Sequence, residues 1–98
     1  MPTFDVTDRF RKDLTVLDSS DRAKLRRAVS QFVEDLSSPE RWFRPGLRVK
    51  GVQGADGVFE MTWAPDGRAT FEYGRQLHPG LPQIVWRRVG THDILGRP

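Results

Sequence analysis

Apolar residues recur along this chain with two different periods, and the switch between them divides it. Phe4 and Val6 alternate with polar neighbours, which predicts a short strand over Thr3 to Val6. Thr7 then stands where an N-cap should, ahead of Phe10, Leu14 and Leu17 at spacings of four and three, the stripe of a first helix. Asp18-Ser19-Ser20-Asp21 breaks it. A second, longer helix is predicted from about Ser20 to Leu36, with Leu25, Val29, Phe32 and Leu36 on one face, widened by Ala28 and Val33. Its opposite face carries Lys24, Arg27, Gln31 and Glu34, as a solvated face should. Two amphipathic helices on a short polar link form a helical hairpin that must bury its stripes against something else.

After Ser37-Ser38-Pro39 and Pro45-Gly46 the period becomes two. Leu47 and Val49 alternate with Arg48 and Lys50. Phe59, Met61 and Trp63 alternate with Val58, Glu60 and Thr62, and Ala69, Phe71 and Tyr73 with Arg68, Thr70 and Glu72. Pro65-Asp66-Gly67 reads as a tight turn, with Pro fixing φ and Gly taking a left-handed position, so the second and third of these strands form a hairpin. The Gly- and Pro-containing link from Gly74 to Pro82 reads as a mobile loop, and His78 within it as solvent-exposed. In the last strand, from Gln83, hydrophobes fall on both sides, as a central strand would require.

Helices first and hairpin strands afterwards predict an α+β domain over residues 1–98. An N-terminal helical hairpin packs on a four- to five-stranded, mostly antiparallel sheet. The helix-free face would then be wet and would carry Arg48, Lys50, Glu60, Thr62, Arg68, Thr70 and Glu72.

Composition narrows the function classes. With 37% hydrophobic and 30% charged residues in a 98-residue chain, one modest globular core is expected and disorder is not. There is no cysteine, which removes disulfides and thiol chemistry. Two widely separated histidines without spaced carboxylates do not make a metal motif. The start of the chain shows no basic region followed by an apolar run, and no stretch is long enough to span a bilayer, so a cytoplasmic location is the expectation. The net charge of +3 is uneven: Arg41, Arg44, Arg48 and Lys50 follow one another without a carboxylate, and Arg87, Arg88 and Arg97 come near the end. A polyanionic partner, nucleic acid or acidic protein, suits that asymmetry.

The chemistry concentrates in Gln83 to Asp93. A strand of β-branched and aromatic residues breaks at Gly90 and delivers Thr91, His92 and Asp93 at its end, beside Arg87 and Arg88. Histidine ordinarily titrates near neutrality, so a His on a rigid strand end beside arginines can move protons next to a bound anion.

Leu-Arg-Val-Lys-Gly-Val-Gln-Gly (47–54), Val-Phe-Glu-Met (58–61), Gly-Arg-Ala-Thr-Phe-Glu-Tyr (67–73) and Val-Gly-Thr-His-Asp-Ile-Leu (89–95), in that order and spacing, resemble the RelE/ParE superfamily of bacterial toxins. The likeness is strongest to the mRNA-interferase branch, whose YafQ-like members also end in a Gly-Thr-His stretch. The resemblance implies a RelE-like microbial ribonuclease fold and metal- and cofactor-free, ribosome-dependent cleavage of mRNA. It also implies neutralisation by a cognate antitoxin and no engagement with a membrane. It places His92 as general acid or base and Arg68 and Lys50 as phosphate binders, with Arg48, Arg87, Arg88 and Glu60 as further RNA contacts. Glu60 stands where some relatives carry a basic residue, and Leu95 and Gly96 where many carry an aromatic. A ParE-like inhibitor that binds DNA gyrase and a non-catalytic regulatory module on the same fold are the alternatives. Arg68 and His92, read as lying on the wet face or at its end, are expected to accept alanine for no more than about 1 kcal/mol.

Overall fold

A computed structural model describes residues 3–40, 42–75 and 82–98. The short first strand, β1 (Thr3–Val6), leads into α1 (Asp8–Val16) and α2 (Ser19–Leu36). A 3-10 turn (Pro45–Leu47) and the very short β2 (Lys50–Gly51) precede β3 (Val58–Thr62) and β4 (Gly67–Tyr73). The long β5 (Gln83–Thr91) runs directly into a C-terminal 3-10 helix (His92–Gly96). The sheet order is β1-β5-β4-β3-β2, with β1 parallel to β5 and all other pairs antiparallel. The expected α+β architecture is therefore present, as two helices on a mixed five-stranded sheet. Among the described residues no helix is long and apolar enough to cross a membrane.

α1 starts where its Thr7 cap predicts, and α2 starts at Ser19, beside the expected Ser20, with Asp18 as its cap where the sequence reads only as a break. The Thr7 hydroxyl accepts the Phe10 NH (3.1 Å) and donates to the Arg87 carbonyl (2.8 Å), so one side chain caps α1 and ties it to β5. Asp18 accepts the Asp21 NH at the head of α2 (2.8 Å). Arg22 reaches back to the Leu14 and Leu17 carbonyls and satisfies the open end of α1. The α2 stripe of Leu25, Ala28, Phe32 and Leu36 is buried against Met61, Ala69, Phe71, Ile84 and Trp86. Phe32 is its centre, stacked on Phe43 and set edge-on or tilted to Phe71 and Trp86 at ring separations of 4.8–5.0 Å.

β5 is the central strand that its two-sided hydrophobicity predicts, and a register shift explains the pattern. Phe71 faces Trp86 but Thr70 faces Arg88, so Arg87 is an extra residue on β5. Ile84 and Trp86 bury on the helix side before the bulge and Val89 after it, which turns a spacing of two into one of three. Past the end of β1, α1 closes the exposed edge of β5, where Asp13 accepts the Val89 NH (3.1 Å) and pairs with Arg88 at 2.7 Å.

Four expectations are corrected. Leu47 to Lys50 is not a strand: Pro45 starts a 3-10 turn, Arg48 takes a left-handed φ of 48°, and pairing begins only at Lys50. Gly67 is not left-handed either. It closes the turn by donating to the Ala64 carbonyl, and it must be glycine because a Cβ there would stand 2.5 Å from the Trp63 ring, which is itself fixed by its indole NH on the Arg68 carbonyl. Gly67→Ala is accordingly expected to lower stability by about 1–3 kcal/mol in a denaturant melt. β5 does not break at Gly90. The strand continues to Thr91, and a Cβ at Gly90 would meet Ile94, which folds back over it, at 2.9 Å. Lastly, the helix-free face is not uniformly wet. The end of the chain crosses it, with the main-chain oxygen of Pro98 accepting from Thr70 Oγ1 and Arg87 Nε, and Thr70 and Glu60 are buried. His78 and most of the 74–82 link lie outside the described residues.

The segment after α2 is fastened by a two-pronged ion pair. The Arg44 guanidinium donates to both Asp35 oxygens (2.8 and 2.9 Å) and its main-chain NH to one of them (2.8 Å). Those hydrogen bonds from Arg44 hold the Asp35 carboxyl at about 2, below its ordinary value of 3.8. A depressed carboxylate contributes stability above its unfolded value and loses it as pH falls through the folded one. The lock should therefore weaken between about pH 4 and pH 2. Thermal melts across that window should fall less steeply for Asp35→Asn than for the parent.

Candidate functional site

The cross-strand registers build one row of polar residues on the helix-free face. Lys50 of β2 lies opposite Glu60 of β3, and Glu60 opposite Thr70 of β4. Directly opposed residues of antiparallel strands project to the same side, so Lys50 and Glu60 are neighbours across the β2–β3 pair. In the next row Thr62, Arg68 and Gly90 face one another, and Gly90 brings no side chain over Arg68. Gly90 thus serves the site as well as Ile94 packing.

Arg68 is held from two sides. Its Nε is 3.8 Å from the Glu60 carboxylate, and its Nη1 donates to the carbonyls of Gly67 (3.0 Å), Pro65 (3.3 Å) and Ala64 (3.5 Å). Side-chain exposures of 17% for Arg68 and 8% for Glu60 make this a largely desolvated pair, with the guanidinium fixed before any ligand arrives. The β3–β4 turn also sets the last component. The Asp66 carbonyl accepts the His92 NH (2.8 Å) and the Thr91 hydroxyl accepts the Asp93 NH (3.3 Å), so the main chain that carries His92 is pinned while its imidazole stays exposed.

These groups converge. Lys50, Glu60, Arg68 and His92 line a single cleft of about 470 Å³ together with Gly51, Val52, Gln53 and Leu95. The three residues predicted to be catalytic, His92, Arg68 and Lys50, are thus brought together, and Glu60 joins them as the counter-ion of Arg68. Arg48, Arg87 and Arg88 do not line the cleft. Arg48 sits in the left-handed position before β2. Arg87 bonds Glu72 and Pro98, while Arg88 is committed to Asp13 and to the Arg97 carbonyl. Those two arginines hold down the chain end that follows His92. Sequence reasoning missed Gln53 and Asp66, one on the loop after β2 and the other acting through its main chain, where no side-chain pattern marks it. Leu95 occupies the cleft wall at the place where an aromatic was expected, and Trp63 packs on the helix side of the sheet.

Chemically the cleft offers one fixed cation in Arg68, a second and exposed cation in Lys50, one carboxylate and one exposed imidazole around a space large enough for a phosphodiester and its sugar. Among the described residues no three His, Asp or Glu side chains group as metal ligands do.

The two-helix, five-stranded architecture is the RelE-like toxin fold. YafQ from E. coli matches it with a TM-score of 0.71 over 97% of this chain and 98% of that one, at 14% sequence identity. A chain of an E. coli DinJ–YafQ complex matches at 0.69 over 97% of this chain and 98% of that one, with 17% identity. A RelB–RelE antitoxin–toxin complex from Methanococcus jannaschii matches at 0.60 over 94% of each chain, with 15% identity. No protein-family model and no curated protein matches the sequence.

Proposed function

We propose that this chain is the toxin of a type II toxin–antitoxin pair, an endoribonuclease that cuts mRNA on the ribosome in the cytoplasm without a metal or cofactor and is neutralised by a cognate antitoxin. The observation that carries this reading is the meeting of Lys50, Glu60, Arg68 and His92 in one cleft of a RelE-like fold. Two of the similar structures are toxin–antitoxin complexes, which supports the partner.

Each residue has a role suited to its setting. Cleavage by the RNA's own 2′-hydroxyl needs a base to take its proton, an acid for the leaving 5′-oxygen and cations for the charge that grows on the phosphate. His92, exposed on a pinned main chain, is the proton-transfer group. Arg68 is the preorganised phosphate binder, since its orientation costs nothing at the moment of reaction. Lys50, exposed at the rim, is a mobile second cation. Glu60 orients Arg68, and its carboxylate is an acceptor for a ribose hydroxyl, a contact that DNA lacks. Arg48 adds long-range attraction for the message outside the cleft.

Induced expression followed by pulse labelling tests the reading. Protein synthesis should stop first, and primer extension on ribosome-bound message should show discrete cuts. Continued translation with stalled DNA replication would replace it with a ParE-like action on gyrase.

A further inference from the structure

The chemistry proposed above uses the four ionisable residues of the cleft and leaves its neutral lining, Gly51, Val52, Gln53 and Leu95, without a task. Of these, Gln53 carries the polar side chain. The residue is exposed and, among the described residues, its carboxamide makes no hydrogen bond.

The backbone under that amide is tightly built. After β2 the chain makes two tight turns in succession: the Val52 carbonyl accepts the Ala55 NH (3.2 Å), and the Ala55 carbonyl accepts the Val58 NH (3.1 Å). The Val52 NH closes the loop on the Val58 carbonyl (2.8 Å), and both valines are buried. Gly54 and Gly57, third in their turns, have φ of 83° and 79°, whereas Gln53 and Asp56 before them do not take positive φ, so both turns are type II. Gln53 therefore stands second in a turn whose main chain is fixed from both ends. That position suits proline, and the conformational demand of the turn falls on Gly54, so the fold does not call for a glutamine there. A Cβ at Gly51 or Gly54 would meet nothing within 4 Å, which leaves open space around the amide.

We propose that Gln53 selects a base beside the scissile phosphate, and that adenine is the base it matches. A carboxamide holds one donor and one acceptor side by side. On the Hoogsteen edge adenine answers with both an acceptor and a donor, N7 and the N6 amino group. Guanine shows two acceptors there, cytosine a donor and uracil an acceptor. Single-stranded RNA leaves that edge free to be read. Val52 and Leu95 give the face of the ring an apolar wall in the same cleft that holds Arg68 and Lys50 for the phosphate. Those cations hold any message alike, because phosphates carry no sequence information, whereas a neutral amide on a rigid turn can tell one base from another. The assignment deepens the nuclease reading and rests on it.

The test uses messages that differ only in one of the two bases flanking a single cleavage position, cut on ribosomes and quantified by primer extension. The proteins are the full chain, Gln53→Ala, Gln53→Glu and Lys50→Ala. The parent should cut beside adenine about tenfold or more faster than beside the other bases, the worth of one bidentate amide contact. Gln53→Ala should lose that ratio. Gln53→Glu, which keeps the length of the side chain but only accepts, should favour cytosine and its amino group. Lys50→Ala should be slower on every message and keep the ratio of the parent. Each ratio is internal to one protein, so partial unfolding of a variant does not imitate the change. An unchanged adenine preference in Gln53→Ala, or a parent that cuts beside all bases equally, would overturn the assignment and leave the nuclease reading standing. A parent that cuts no message at all would end both.

Discussion

His92→Ala protein is expected to melt with its parent and to lose message cleavage by about 10²–10⁴-fold, the usual worth of a general acid or base. The two outcomes separate because the imidazole is exposed, whereas the contact that organises this part of the chain is the His92 main-chain NH on the Asp66 carbonyl, which alanine keeps. Cuts would be mapped by primer extension on stalled ribosomes, with thermal melts alongside. The pH profile of the residual rate should also lose one limb, a change that a merely structural histidine would not cause. Undiminished cleavage by folded His92→Ala would remove this residue from the mechanism.

Arg68→Ala should cost both activity and stability. Loss of one preorganised stabiliser of a transition state is worth about 10²–10³-fold in rate. The stability cost corrects the expectation of a surface substitution, because Arg68 faces a buried Glu60 and ties three carbonyls of the β3–β4 turn. Leaving that carboxylate without its partner should cost about 1–3 kcal/mol. Replacing Glu60 as well, in Arg68→Ala/Glu60→Gln, should return much of the melting temperature and none of the cleavage. If Arg68→Ala melts with the parent, the pair does not support the fold. If the double variant cleaves, the guanidinium is not the phosphate binder.

The sequence by itself determined the elements and their order. Periods of 3.6 and 2, the cap at Thr7 and the Pro65-Asp66-Gly67 turn are local signals, set by backbone geometry within a few residues. The structure realises them except over Leu47 to Lys50, where a 3-10 turn replaces most of the expected strand, and at Gly67, whose φ is not left-handed. The bulge at Arg87 was also legible in principle, since Ile84, Trp86 and Val89 change phase there. The sequence likewise singled out Lys50, Arg68 and His92, and with Glu60 they share one cleft. Their environments were decided only in three dimensions. Glu60 and Thr70 read as wet strand residues because alternation reports which face a side chain takes, not what later covers that face. Here the cover is the chain end, folded back onto Thr70 and Arg87 from far along the sequence. Arg87 and Arg88 read as free cations for the same reason, since their partners Glu72 and Asp13 come from distant parts of the chain. Whether a charge serves a ligand or the fold depends on such non-local contacts, which burial and register create and no local pattern encodes.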